Sequence, residues 1–243
     1  MERISSIVNG KDRILAIWEG RTDTELYGIT KSTAREIENT FLRMNRIKSD
    51  VRLSDQAKRE DSRGAGLDSL KNLAKSAARL EALRTQHKER ANRLAAVTPY
   101  RDGDAATALI DMEIARKLAS MSNATARAIM LVNGEQPRLT EAVLRLPAFL
   151  SGLSDAEYGR IASAAIERAH PEQSRAIAQE AEELDAASKA VEKAFSIIAG
   201  ETHAPLDDQV AAAGEHANKL VKTAPEAIEM IQRRQAEQED EQA

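Results

Sequence analysis

The stretch IAQEAEELDAASKAVEKAFSII, residues 177–198, decides the reading of this chain. Ile177, Ala181, Leu184, Ser188, Val191, Phe195 and Ile198 recur at intervals of four and three, and only a helix gathers such a series on one side. The stripe is narrow, the width of a seam between two helices. The expected fold class is therefore all-α, with long amphipathic, coiled-coil-like helices and a compact multi-helix middle region. Two readings of the seam stand side by side: a contact between subunits, or an ordinary helix packed on the helices that follow Pro99. Ala181 and Ser188 keep one side of the stripe small, which allows close approach but weakens a free-standing dimer.

Working outward, a second stripe runs through Leu67, Leu70, Leu73, Ala77, Leu80, Leu83, His87, Ala91 and Leu94, with Lys71, Lys75, Arg79, Arg84, Lys88, Arg90 and Arg93 on the other faces. Upstream, Thr33-Ala-Arg-Glu36 has the form of a capping box, followed on one face by Ile37, Phe41, Met44, Ile47 and Val51. Gly64 and Gly66 mark a bend or interruption between the two runs. A rod or bent rod ending near Thr98-Pro99 is favoured over a helical hairpin. Residues 1–30 read as short helices broken at Gly10, Gly20 and Gly28, with Asp12 as a cap, and no strand of convincing length is expected anywhere.

The middle of the chain is punctuated. Asp104 caps a helix through Leu109, Ile110, Ile114, Leu118 and Met121, and Ser122-Asn123 starts another that Asn133-Gly134 ends. Pro137 opens a third, closed by Pro147, and Ser154-Asp-Ala-Glu157 is a further capping box. Pro171 suits the first position of the helix carrying the 177–198 seam, which is expected to end at Gly200. One helix is then expected through Val210, Ala217 and Val221, another from Pro225 through Ile228 and Ile231, and a fraying acidic tail. The expected domains are 1–98, an N-terminal region of long basic helices; 99–169, a compact short-helix region; and 170–243, a C-terminal helical arm.

Residue chemistry argues against catalysis. The chain has no cysteine, which excludes disulfides, thiolate nucleophiles and Cys-ligated metals. His87, His170, His203 and His216 are scattered, with no HExxH spacing, so no metal is expected. Neither a GxGxxG nor a GxxxxGK[ST] run occurs, and no cofactor is expected. The pairs Glu182/Glu183 and Asp207/Asp208 lie on adjacent helix positions about 100° apart and read as solvated faces. No GxSxG elbow is present. The expected catalytic set is empty and the protein is read as a non-enzyme.

Residues 1–98 carry 20 Lys and Arg against 14 Asp and Glu, net +6; residues 99–243 carry 15 against 25, net −10. The asymmetry reads first as two solvated helix surfaces with a modest local bias, and second as a means for the basic half of one subunit to meet the acidic half of another, or an acidic partner. Nucleic acid is the less favoured partner, because residues 52–98 contain no aromatic side chain for base stacking and Asp68, Glu81 and Glu89 interrupt the charge. Met1-Glu-Arg-Ile-Ser-Ser lacks a signal-peptide pattern and no long apolar run occurs. The expectation is a protein made in the cytoplasm, with no membrane partner.

Residues 99–200 contain Asp102-Gly-Asp104, Ile114-Ala-Arg116 and Leu144-Arg-Leu-Pro-Ala-Phe-Leu-Ser-Gly-Leu-Ser154, running into the helix after Pro171. This stretch loosely resembles helical proteins encoded in the structural gene blocks of tailed phages and prophages of Gram-negative bacteria. The resemblance implies a virion or assembly role, as a scaffold, head-interior or connector-associated protein, and leaves incorporation into the virion as one of the two outcomes, the other being a role in assembly alone. The function expected is helix-mediated self-association or docking into a large assembly; a cytosolic helical adaptor or regulator and a coiled-coil protein touching nucleic acid are the alternatives. The residues expected at the protein interface are Ile177, Leu184, Val191, Phe195 and Ile198, with Leu70, Leu73, Leu80 and Leu94 as a second stripe.

Overall fold

Residues 2–18 form a β-hairpin where the sequence suggests short helices. In the computed structural model, which describes residues 1–221, strand β1 (Glu2–Val8) pairs antiparallel with β2 (Lys11–Trp18). Asn9 and Gly10 join them at φ values of 50° and 73°, the left-handed pair that a two-residue hairpin turn requires and that Asn-Gly supplies at least cost. Ile4 pairs with Ala16 and Ser5 with Ile14, so Leu15 is a bulge residue. The bulge resets the alternation: Leu15, Ala16 and Trp18 are all buried, with Ile4 and Val8 opposite, while Ile7 and Ile17 face outward. Asp12, expected as a helix cap, sits in β2 and pairs with Arg3 at 2.6 Å.

Helix α1 (Glu25–Ser49) starts at Thr24, whose Oγ1 accepts the Tyr27 N–H at 3.2 Å. Thr33 lies inside that helix and is buried, so the Thr33/Glu36 capping box does not form; a cap needs extended backbone, which an interior turn cannot give. After a turn in which Asp50 accepts the Arg52 N–H and Ser54 Oγ accepts the Ala57 N–H, α2 (Asp55–Arg93) runs back. Glu25 pairs with Arg79, Glu36 with Asn72, and Asp68 with Arg43. That order is antiparallel, so the two helices form a hairpin and not the expected rod. Gly64 and Gly66 do not interrupt α2. Gly66 instead faces Thr202, and an added Cβ there would collide with the Thr202 side chain.

Residues 105–169 follow their punctuation closely. Asp104 caps α3 (Ala105–Ala119) through the Thr107 N–H, and Asn123 caps α4 (Ala124–Asn133) through the Ala126 N–H. Gly134 ends α4 at φ 67°. Pro137 opens α5 (Pro137–Arg145), a 3-10 turn covers Ala148–Ser151, and Ser154 and Glu157 form the expected reciprocal box at the start of α6 (Asp155–Ala169). Helix α7 (Pro171–Thr202) overruns Gly200 by one short step. Helix α8 (Leu206–Ala213) stops at Gly214, and a separate turn, Ala217–Leu220, carries the apolar residues expected on a single helix. The helix expected from Pro225 through Ile231 and the acidic tail lie outside the described residues.

The described residues divide into two compact units, one made of residues 1–86 and 179–221, the other of residues 87–178. The boundaries differ from those expected: most of the C-terminal arm belongs with the N-terminal region. In the first unit, Ile4, Trp18, Ile37, Phe41, Leu70, Leu73, Val191, Phe195 and Ile198 share one core, each contributing on the order of 2 kcal/mol by burial. The second unit encloses a smaller core of Leu118, Leu131, Val143, Leu153 and Ile161. The chain is, among the described residues, mostly α-helical with one small sheet. Among the described residues no helix is long and apolar enough to cross a membrane.

Candidate interaction surface and buried charge sites

The stripes expected to meet other subunits are used inside the chain. Leu184, Val191, Phe195 and Ile198 of α7, and Leu70, Leu73 and Leu80 of α2, are buried in the core of the first unit. Ile177 and Leu94 are half-buried. The correction has a physical cause: Ala187, Ala190 and Ala194 are fully buried too, which widens a two-position seam to a core face on which other elements pack closely. The basic face of α2 is partly committed as well, with Arg79 held by Glu25 and Arg84 donating to Ser188 Oγ.

The second unit leaves apolar surface outside. Helix α3 turns Asp111, Ala115 and Leu118 inward. Its outer side carries Leu109, 64% exposed, and Ile110, 54% exposed. Together with Ile114 these line a shallow trough whose polar wall is Glu113, Arg116 and Lys117. At 3.6 residues per turn, Leu109, Glu113 and Lys117 form one ridge and Ile110 and Ile114 the next. Phe149 is also exposed. Leu109 and Ile110 share the run of apolar positions with Ile114 and Leu118, and no signal in the sequence turns them outward; the burial of Asp111, Ala115 and Leu118 decides which side faces the core.

Asp111 is the second unit's electrostatic centre. Its side chain is fully buried, with Arg138 Nη2 2.5 Å from Oδ1 and Arg145 Nη1 donating to Oδ2 at 3.1 Å. The Tyr100 hydroxyl donates to Oδ2 at 3.0 Å. Arg145 also donates to the Thr98 carbonyl and to Glu141, and its guanidinium lies 5.9 Å from the Tyr100 ring centroid. Burial, and next the hydrogen bond to Asp111, raise the Tyr100 pKa above the ordinary phenol value. The arrangement ties α3 to α5 and to the segment before α3. Arg127 does similar work with neutral partners: it is buried and donates to the carbonyls of Leu118 and Gly152 at 2.9 and 2.6 Å.

The first unit has its own buried carboxylate. Glu183, on α7, has a side chain 2% exposed. Its Oε1 accepts the Arg21 N–H at 2.9 Å and an Nε2–H of Gln179 at 3.3 Å. Gly20 rests on it so closely that a Cβ would overlap the Glu183 carboxyl. The loop from β2 to α1 is thereby pinned, aided by Trp18 Nε1–H donating to the Arg21 carbonyl at 3.0 Å. The reading of Glu182 and Glu183 as one solvated face is corrected for Glu183 only. Among the described residues no group of three or more His, Asp or Glu side chains is placed to hold a metal ion. His170 contacts the Ala95 carbonyl at 3.0 Å through Nε2.

Among the described residues these sites define a mostly helical protein with two cores, whose buried charges brace the fold and which exposes large apolar residues on α3 (Leu109, Ile110, Met112) and on the outer face of the hairpin (Ile7, Ile14, Ile17). No protein-family model, no characterised protein and no solved structure matches the chain.

Proposed function

We propose that this chain is a non-catalytic structural protein that works by helix-mediated association with further copies of itself, in the virion or assembly setting that the phage resemblance implies. The observation that carries the reading is the outer side of α3, where Leu109 and Ile110 stand in water beside Glu113 and Lys117. Contiguous apolar surface rimmed by polar residues is a mark of protein contact sites, and Leu109 and Ile110 adjoin each other within such a rim. The occupant that suits this face is a second α3. In an antiparallel crossing level with residue 115, Glu113 of each copy meets Lys117 of the other, while Leu109 approaches Met121, itself exposed. Such an isologous contact is self-complementary in shape and in charge.

Light scattering on the full chain over a range of concentrations tests the reading. A dimer or larger species is expected, and Leu109→Asp with Ile110→Asp should lower the molar mass to that of one chain. Lys117→Glu should weaken association, and adding Glu113→Lys should restore it, because the swapped pair is again complementary. A mass of one chain at every concentration, or an oligomer indifferent to all these changes, refutes the proposal.

A further inference from the structure

The Glu183 carboxylate is only half used. Oε1 has two donors, whereas Oε2 is buried without a hydrogen-bond partner. A buried carboxylate oxygen left without a donor is costly. Glu183 is also one wall of a cleft of about 150 Å³, with Ile17, Glu19, Gly20, Gln179 and Glu182 around it. Three carboxylates thus border a space whose nearby cation, the Arg21 guanidinium, lies 3.9 Å from the oxygen already satisfied and is mostly in water. Ile17, exposed, supplies an apolar wall at the rim.

We propose that this cleft receives one primary ammonium or guanidinium group on an aliphatic stem. The N–H donors would satisfy Glu183 Oε2 and draw on the charge of Glu19 and Glu182, and the methylenes would lie along Ile17. Liquid water occupies about 30 Å³ per molecule, so the space admits a small cationic head and a few methylenes and excludes a nucleotide. A bare metal ion is a poorer fit, since these carboxylates do not converge as a ligand set. A Lys or Arg side chain of a partner protein and a free polyamine share this chemistry. The site does not depend on the α3 contact.

The experiment is a titration of the full chain with n-butylammonium, n-propylguanidinium, spermidine and a short lysine-containing peptide, with tetramethylammonium at matched ionic strength as the donor-free control. Trp18, the only tryptophan, ends β2, lines the cleft and donates its indole N–H to the Arg21 carbonyl of the pinned loop, so its indole N–H resonance and fluorescence report the site. Saturable shifts with the alkyl cations and none with tetramethylammonium are expected. Glu183→Gln should weaken binding roughly tenfold, about the loss of one charge-assisted hydrogen bond. The double variant Glu19→Gln/Glu182→Gln, at exposed positions, should weaken it several-fold with the fold intact. Tighter binding of the peptide assigns the site to a partner's side chain, and tighter binding of spermidine to a polyamine. Absence of a saturable shift, or unchanged affinity in Glu183→Gln, overturns the proposal; if Glu183→Gln fails to fold, unchanged affinity in the double variant does so.

Discussion

Asp111 and Gly66 show how single residues fix this fold, and each yields a prediction. Removing one partner of a buried ion pair costs about 3–5 kcal/mol, because the charge left behind is uncompensated. Arg138 is partly solvated and can turn to water, so Asp111→Ala should destabilise the second unit by about 3 kcal/mol, the low end of that range. The same variant removes both the hydrogen bond and the negative charge by which Asp111 holds up the Tyr100 pKa and leaves burial alone to raise it, so spectrophotometric titration should show that hydroxyl ionising at lower pH. An unshifted Tyr100 would mean the hydrogen bond does not form in solution. At Gly66 the problem is volume: a methyl group meets Thr202, whose hydroxyl is fixed by donation to the Ile198 carbonyl at 2.8 Å. Gly66→Ala should therefore lower stability by roughly 3 kcal/mol in urea unfolding, although alanine is the better helix former. Neither role was legible in sequence. An acid between Ile110 and Met112 looks like surface until Arg138 and Arg145 are folded over it, and a glycine in a helix looks like a bend until another helix lies against it.

Among the elements, those governed by neighbouring residues were the readable ones. Asp104, Asn123, Ser154 and Pro171 start helices where the sequence places them because capping is a contact within one turn. The hairpin is hard to read although Asn9-Gly10 suits its turn, because the bulge at Leu15 breaks the alternation that identifies a strand. The α1–α2 reversal is hidden because its turn uses Asp50 and Ser54 in place of glycine or proline. The α6 capping box gives a prediction at this scale. Ser154→Ala should cost about 1 kcal/mol, measured on the second unit's unfolding. Glu157 has its pKa lowered by accepting the Ser154 N–H and then by the Ser154 hydroxyl. A carboxylate with a depressed folded-state pKa contributes stability above its unfolded value, and that contribution is lost as pH falls through the folded value. Acidification from neutrality through the carboxylate range should thus erode the α6 cap in the native chain, and Ser154→Ala should show a shallower acid dependence. Parallel acid profiles for the two proteins would contradict the box.

The molecule as a whole is a chain that leaves its first unit and returns to it: residues 1–86 cannot complete their core until residues 179–221 arrive. The 177–198 seam, which opened the question of partners, is largely the closing piece of that core, and this was illegible because a sequence does not say whether a stripe's partner lies in the same chain. The two cores differ in size. Ile4, Trp18, Ile37, Phe41, Leu70, Leu73, Phe195 and Ile198 belong to the larger, and Leu118, Leu131, Val143, Leu153 and Ile161 make up most of the smaller. Stability rises with the apolar area buried, so the second unit should unfold first. Trp18 reports only the first unit, while circular dichroism reports the helices of both. In urea, the dichroism midpoint should therefore precede the Trp18 fluorescence midpoint, and the process should fail the coincidence test for a two-state transition. Ile161→Ala, which opens a cavity in the smaller core at a cost of about 2–5 kcal/mol, should move the early dichroism phase to lower urea and leave the Trp18 transition in place. If both probes shift together, the two cores unfold as one cooperative body, and the distinction between them is geometric only.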